Sequence, residues 1–465
     1  MSSAAIDAFL SWADGYLNFE KLPQKNIFWL DTMQFLCERL GHPERCCPCF
    51  HVAGSKGKGS VSTMIASVLA EAGYSVGLYQ SPHIVDFRER VRTVRGFFPD
   101  AVYEQAAAEL QAAVAAIPPE DFPGARPLTW FEIVTVFAML CFRIAKLDYV
   151  VYEVGLGGRL DATNVVQPLC CCIGPIELEH TEYLGNTLEL IAAEKAGIMK
   201  DGVPVISARQ EECVRTVFRA QAAQHAAPLS FIDDEIRLTP GSFYAEKLPN
   251  GREGTGKALA GMGVTLESPV FRRHLQTNLR LVGSFQGENA ALAALAVRTA
   301  VPQISEDVIE RGLAAASLPG RFEIVFPVPG FPRMPELVLD GAHTRNSVQM
   351  TVESFWSLYG KDSGVHLLFA CAADKDAEDI AQCFANGFAQ VTLTRPGTVK
   401  AADLPRLEHA FTAAGISFHA SEDYVSAIRT ALASADKAGA PLLVTGSFYL
   451  LAEVKKVLDS VSNGC

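Results

Sequence analysis

The chain predicts an α/β protein of two domains: a larger N-terminal one over residues 1–301, built on a phosphate-binding (P-)loop, and a smaller C-terminal Rossmann-like one over residues 302–465. Three observations carry this expectation. Short β-prone runs alternate with helical patterns, the signature of a mainly parallel sheet. The alternation lapses near Val301-Pro302 and then starts again. At 465 residues the chain also exceeds what one hydrophobic core ordinarily serves.

The first strand ends at Val52 and Ala53 and opens into a loop in which Gly54, Gly57 and Gly59 permit tight turns and Lys58 adds positive charge. Val61, Met64, Ile65, Val68 and Leu69 then recur at helical spacing, so the loop feeds a helix N-terminus whose amides and dipole favour phosphate. The spacing is shorter than the usual Walker pattern, because Val52 stands five residues before Gly57 where a glycine is usual. A glycine-rich turn with a solvated lysine is the competing reading.

Residues 74–79 make a second strand, ending in Gln80-Ser81-Pro82-His83. Residues 101–116 are Ala-rich and helical, 118–127 form a linker, and Thr129 leads into a long apolar helix over 130–147. A strand over 148–153 gives way to a glycine-rich turn at 154–164. Residues 170–177 offer another buried strand, 179–185 a loop with His180, and 188–199 a helix carrying Lys195. The stretch 234–275 mixes Gly, Pro and charge and reads as an irregular insertion or a small sheet. A helix begins at Asn289 and ends near Val301-Pro302; beyond it, strands fall at 336–340, 365–370, 391–394 and 442–445. In such sheets ligands gather outside the carboxyl ends of the strands, where the marked loops lie.

With 49% hydrophobic and 20% charged residues the chain is of ordinary globular make-up. A net charge of −12 argues against non-specific nucleic-acid binding, though a local basic pocket can still take a nucleotide. The first seventeen residues read as an amphipathic helix interrupted by Asp7 and Asp14 and not as a signal peptide, no apolar run is long enough to span a bilayer, and a cytoplasmic protein without membrane partners is expected. The twelve cysteines, clustered at Cys46-Cys47-Pro48-Cys49 and Cys170-Cys171-Cys172, read as buried free thiols. Cys46 and Cys49 lack a second pair at zinc-ribbon spacing, so no structural zinc is expected.

Ser81, Glu153 and His180 each sit at or just after a strand end, and a hydroxyl with a carboxylate beside a nucleotide suits magnesium. Each has a plainer reading, as turn residue, strand tip and helix cap. Lys195 has a solvated helix face as its ordinary explanation. Asp340 and His343, after a strand of the second domain, could meet a ribose and orient a substrate, or simply form an Asp-Gly turn. Arg321, near the linker, could supply a cation to a triphosphate.

Seven stretches then carry a resemblance: GSKGKGS (54–60), YQSPHIVDFRERVR (79–92), YEVGLGGRLDATN (152–164), EHTEYLG with EKAGIMK (179–200), GSFQGENAA (283–291), LPGRFE (318–323) and LDGAH (339–343). In this order the chain resembles the folylpolyglutamate synthase/dihydrofolate synthase family, relatives of the Mur ligases. The resemblance implies a Mur-ligase-like ATPase domain and an ATP-dependent ligase joining L-glutamate to a pterin-bearing acid, dihydropteroate or a folate, through an acyl phosphate. It implies that Gly57, Lys58, Gly59 and Ser60 wrap the ATP phosphates and that Asn289, Arg321 and Asp340 contact ATP. Ser81, Glu153 and His180 match magnesium ligands, and Lys195 matches a lysine carbamoylated by CO₂ that supports a second magnesium. Thr129, Leu160, Asp161 and Ala162 match positions that contact the pterin-bearing substrate; His343 and Ser447 are candidates for holding glutamate, and a monomer is expected.

Some positions depart from the family pattern. Ser55-Lys56 stands for Thr-Asn, Glu179 for an aspartate, Phe285 for a frequent histidine, and Thr344-Arg345 for Asn-Pro. A Mur-type ligase using another acid, and a nucleotide-binding protein that has lost catalysis, remain alternatives. ADP release with a pteroate and glutamate separates them.

Overall fold

The computed structural model describes residues 4–18, 29–247, 257–361, 364–385 and 387–462. The chain forms two compact units, one of residues 1–239, 264–277 and 285–316, the other of 240–263, 278–284 and 317–465. Both are α/β, as the alternation of strands and helices predicts.

The first unit is organised by a seven-stranded sheet of β1 (Cys49–Ala53), β2 (Val76–Tyr79), β3 (Val91–Thr93), β4 (Tyr149–Glu153), β5 (Cys170–Ile173), β6 (Val205–Ser207) and β7 (Leu229–Phe231), in the order β3-β2-β4-β1-β5-β6-β7. All its neighbours pair in parallel except β2 and β3. The centre of a parallel sheet is covered on both faces, so its strands need apolar side chains throughout. Accordingly β1 and β5 are buried at every position. One face packs on two clusters side by side, an aromatic layer in which Phe9 stacks on Phe137 at 4.1 Å and a second cluster including Ile191, Val205 and Phe218; the other face, with Phe50, Val52, Leu78 and Val151, is buried as well.

The register puts the functional loops at one level. His51 lies opposite Tyr152 of β4 and Cys171 of β5, and Tyr152 lies opposite Tyr79 of β2. The loops after Ala53, Tyr79, Glu153 and Ile173 therefore emerge along the same edge of the sheet.

Of the two readings of the stretch 234–275, an irregular insertion or a small sheet, the structure has the sheet: β8 (Arg237–Lys247), β9 (Lys257–Glu267) and β10 (Leu275–Leu279) form three strands in the order β10-β9-β8. Pro240 and Gly241, which weaken a strand reading, are accommodated inside β8.

The second unit holds a six-stranded sheet of β11 (Glu323–Val325), β12 (Leu337–Leu339), β13 (His366–Phe369), β14 (Gln390–Thr394), β15 (His419–Ser421) and β16 (Leu442–Thr445), ordered β11-β12-β16-β13-β14-β15. Only the pairing of β11 with β12 is antiparallel. Leu339 lies opposite Val444, and Phe369 opposite Thr445, so the loops carrying Asp340 and Ser447 leave neighbouring strands at their carboxyl ends.

The changeover falls at Ala316 and Ser317, not after Val301. The helix Glu306–Ala315 packs on the helix Lys58–Glu71, where Ser67 donates to the Gly312 carbonyl at 2.7 Å. Pro302 ends one helix without ending the unit. The helix expected from Asn289 begins earlier, at Ser284, and a single helical turn, Thr181–Leu184, interrupts the loop expected after His180. No helix among the described residues is long and apolar enough to cross a membrane.

A Cβ on Gly312 would stand 2.4 Å from Val68 Cα, a backbone atom that cannot step aside. Gly312→Ala is therefore expected to destabilise the protein by at least about 1 kcal/mol, overpacking outweighing the better helix propensity of alanine. A thermal melt with an unchanged or higher midpoint would contradict this packing.

Candidate active site

β1 ends in a turn that only glycine tolerates. Gly54 has φ 139° and Gly57 φ 78°, and Gly57 caps the helix Lys58–Glu71 in the left-handed region. The turn is pinned to the segment after β5 by Gly174 N–H donating to Ala53 O (2.8 Å) and Ser55 N–H donating to Pro175 O (2.9 Å). Gly59 and Ser60 lie in the first turn of the helix, where amides have no intrahelical acceptor. Asn289 belongs to the first unit and borders this loop: a Cβ on Gly57 would meet Asn289 Oδ1 at 2.4 Å.

The turned Gly54 carbonyl accepts from two ammonium groups, Lys58 Nζ at 2.9 Å and Lys195 Nζ at 3.0 Å. Lys195, in the helix Leu188–Ala196, is 2% exposed and not on a solvated face. Its second partner is Glu179 Oε1 at 3.0 Å, while Glu179 Oε2 lies 3.9 Å from Lys56 Nζ. Burial tends to raise the Glu179 pKa, but Lys58, Lys195, Lys56 and His180 overcome it and bring the carboxyl down to about 2. Lys195 is brought down to about 8 by burial and by the charge of Lys58, against the pull of Glu179. Three lysines thus converge around one carboxylate, a site short of negative charge.

Gln80 straps the carboxyl end of β2 to the loop, donating to Gly59 O (2.9 Å) and Thr63 Oγ1 (3.1 Å), and so places Ser81. Glu153 is 4% exposed at the end of β4, opposite Val52. His180 sits beside Glu179 with φ 47°. No group of three or more His, Cys, Asp or Glu suited to a metal occurs among the described residues. The donor set is nonetheless compatible with magnesium, which takes few protein ligands and keeps water and phosphate oxygens; a lysine ammonium is no ligand unless modified.

The glycine-rich turn 155–164 leans on the same helix as Lys195. Arg159 N–H donates to Glu194 O (2.8 Å) and Asn164 Nδ2 to Gly197 O (2.9 Å). Asp161 is buried, and its carboxylate is fully engaged within the turn: Oδ2 accepts from Gly155 N (3.0 Å) and Leu156 N (2.9 Å), Oδ1 from Thr163 N (3.0 Å) and Thr163 Oγ1. Burial pushes its pKa up despite these donors. Thr163 Oγ1 is also 2.8 Å from Nε2 of His51, a ring 0% exposed and held neutral by burial, with a pKa near 3. Asp161 therefore shapes the turn that presents Leu160 and Ala162. Thr129 caps the helix Trp130–Ile144, its hydroxyl accepting from Glu132 N at 3.2 Å, and Phe131 fills the space that a Cβ on Gly155 would take.

In the second unit Asp340 plays the same part. Its carboxylate accepts from Phe322 N (2.7 Å), Ala342 N (2.9 Å) and Thr351 Oγ1 (3.0 Å), fixing the turns that carry Arg321 and His343. Burial raises its pKa, against the pull of Arg321. His343 Nδ1 lies 2.8 Å from Gly341 O, and Ser447 Oγ accepts from Tyr449 N at 3.2 Å.

The structure thus brings the loop, Lys195 and Asn289 together and adds Glu179, His51 and Thr163, none of which the sequence singled out for a role. Glu179 did mark itself, as a departure from the family pattern beside His180. His51 and Thr163 meet across 112 positions and leave no local signal.

Residues 320–448 match the family described as Mur ligase, glutamate ligase domain. The chain is 34% identical to the dihydrofolate synthase/folylpolyglutamate synthase of Bacillus subtilis, over 96% of this chain and 98% of that one. It is 32% identical to the Escherichia coli protein of the same description, over 99% and 98%. Its fold is similar to that of Mycobacterium tuberculosis folylpolyglutamate synthase complexed with ADP and AMPPCP, with a TM-score of 0.83 and 25% identity, covering 98% of each chain. It is also similar to Escherichia coli FolC in complex with DHPP and ADP, with a TM-score of 0.79 and 28% identity, over 97% of this chain and 98% of that one.

Because Glu179 holds the Lys195 proton, Glu179→Gln should move the midpoint for acylation of Lys195 below the value of about 8 expected of the parent. Peptide mass spectrometry across a pH series reads this; an unchanged or raised midpoint would overturn the ion pair's role.

Proposed function

The chain belongs to the folylpolyglutamate synthase/dihydrofolate synthase family, and from that premise we propose that it ligates L-glutamate to a pterin-bearing acid, dihydropteroate or a reduced folate, at the expense of ATP. The observation that carries the reading is the convergence of Lys56, Lys58 and Lys195 on Gly54 O and Glu179 at the phosphate loop. Lys56 and Lys58, on the loop itself, supply the positive charge that suits the phosphates of a nucleotide, and the buried Lys195 beside them is the one available for modification.

A carboxylate is a poor acyl donor. Transfer of the γ-phosphoryl group of ATP to it gives an acyl phosphate and ADP; the glutamate amine then attacks the acyl carbon, phosphate leaves, and an amide forms with loss of the amine proton. In this scheme Gly57, Gly59 and Ser60 present amides to the phosphates, Lys58 stabilises charge on the transferring group, and Asn289 flanks the nucleotide. Arg321 supplies a further cation, and Asp340 holds Arg321 in place. Thr129, Leu160 and Ala162 contact the pterin-bearing acid on a turn braced by Asp161, and His343 and Ser447 hold glutamate. Ser81, Glu153 and His180 would hold magnesium, with Lys195 supporting a second ion as its carbamate. Bound there, magnesium supplies charge neutralisation and alignment of the phosphates. A pKa near 8 favours the carbamate, since CO₂ adds only to the neutral amine. We place the enzyme in the cytoplasm as a monomer.

Lys58→Ala should reduce ADP release in the complete reaction by at least about a hundredfold, since the loop cation acts on charge that develops in transfer; turnover within about twofold of the parent, by the same measure of charge stabilisation, would refute its role. Intact mass under CO₂ should show one added carbamate, lost in Lys195→Ala; no added mass in the parent protein would refute the modification. Comparing ADP release with dihydropteroate and with a reduced folate monoglutamate, each with glutamate, identifies the acid used, and release with neither would overturn the assignment.

A further inference from the structure

We propose that Phe448 is a positioning residue for this reaction: its one aromatic ring holds both the Arg321 guanidinium and the His343 imidazole, tying the cation for the nucleotide to the group for glutamate. The inference rests on the roles given above to Arg321 and His343. Phe448 opens the helix Phe448–Ser462 directly after Ser447. The Arg321 guanidinium carbon stands 4.4 Å from the centre of its ring, within the range of a cation–π contact. The His343 ring lies 6.2 Å away, tilted by 64°, an edge-on arrangement.

Three features show that the ring is seated by design of the surrounding backbone. A Cβ on Gly341 would lie 2.2 Å from the Phe448 ring, so glycine leaves the space that the ring fills. The Asp340 carboxylate grips Phe322 N and Ala342 N, the amides next to Arg321 and His343, and so fixes both partners relative to the ring. The same helix reaches the Arg321 turn a second time, through Lys455 Nζ to Glu323 Oε1 at 2.7 Å, while Glu323 Oε2 accepts from Gly320 N at 2.7 Å. Phe448 is also only half-buried, so filling a core does not account for it.

An arginine has many rotamers to lose when it meets a phosphate. A ring face that already holds the guanidinium removes part of that loss before the nucleotide arrives. An aliphatic side chain keeps the volume but has no electron-rich face, whereas tyrosine keeps the face.

The test uses the full-length enzyme and steady-state ligation. Phe448→Leu should raise KM for ATP and KM for glutamate each by about five- to tenfold, with kcat changed less, and Phe448→Tyr should return both to within about twofold of the parent. Parent-like KM values in Phe448→Leu, or equal impairment in Phe448→Tyr, would overturn the proposal. In Arg321→Ala, adding Phe448→Leu should leave KM for ATP no worse; a further additive rise would break the link between ring and guanidinium. The Arg321 Hε resonance, read without substrates, should show a ring-current shift that is kept in Phe448→Tyr and lost in Phe448→Leu or Phe448→Met. Absence of that shift in the parent protein overturns the proposal directly. Should the shift be present while Arg321→Ala has an ordinary KM for ATP, the nucleotide role of Arg321 fails and the seat on Phe448 stands.

Discussion

The carboxylate of Glu179 is the counter-charge on which the glycine-rich loop after β1 depends. Two unit charges about 4 Å apart at an effective dielectric of about 20 interact by about 4 kcal/mol, so lysines gathered in a semi-buried site repel strongly unless something offsets them. Glu179 does so for Lys195 at 3.0 Å and for Lys56 at 3.9 Å, and the Gly54 carbonyl adds a dipole shared by Lys58 and Lys195. That carbonyl is turned toward the lysines because Gly54 adopts φ 139°, open to it without a Cβ. The pairing of Lys56 with Glu179 also joins two of the chain's departures from the family pattern. Where Thr-Asn and aspartate are usual, this chain has an extra cation and a carboxylate with a longer arm.

Both units solve the problem of holding a loop still in the same way. A buried aspartate after a strand accepts several backbone and hydroxyl donors, Asp161 in one unit and Asp340 in the other. A buried carboxylate is costly unless its oxygens are satisfied, and these are. The arrangement makes each aspartate a brace for its neighbours: Leu160 and Ala162 around one, Arg321 and His343 around the other. Residues that look like ligands in a sequence can thus act one step back from the substrate.

Much of the architecture was legible because the strands that matter are buried on both faces. Tyr149–Glu153 and Leu442–Thr445 are nearly unbroken β-prone runs. Strands of three residues such as Val205–Ser207 and His419–Ser421 carry no such run, and only their neighbours in the sheet define them. The boundary after Val301 misled because Pro302 does end a helix; that the next helix returns to the first unit depends on Gly312 meeting Val68, which no local pattern encodes. In the site, the types of the loop residues and their spacing were readable, and the resemblance named the rest. The hub role of Glu179 was not, since Lys56 and Lys58 come from the loop after β1 and Lys195 from the helix Leu188–Ala196, far apart in the chain.

The path of the chain has a consequence for how the molecule is made. It passes from the first unit to the second after Thr239, returns at Val264, leaves again after Thr277, returns at Phe285 and departs finally after Ala316. Neither unit is a continuous piece that a single cut could free. During synthesis the first unit lacks the helix Glu306–Ala315 until about two thirds of the chain has been made, long after its own strands have been synthesised. The helix Lys58–Glu71 is thereby left without one of its packing partners until most of the chain exists.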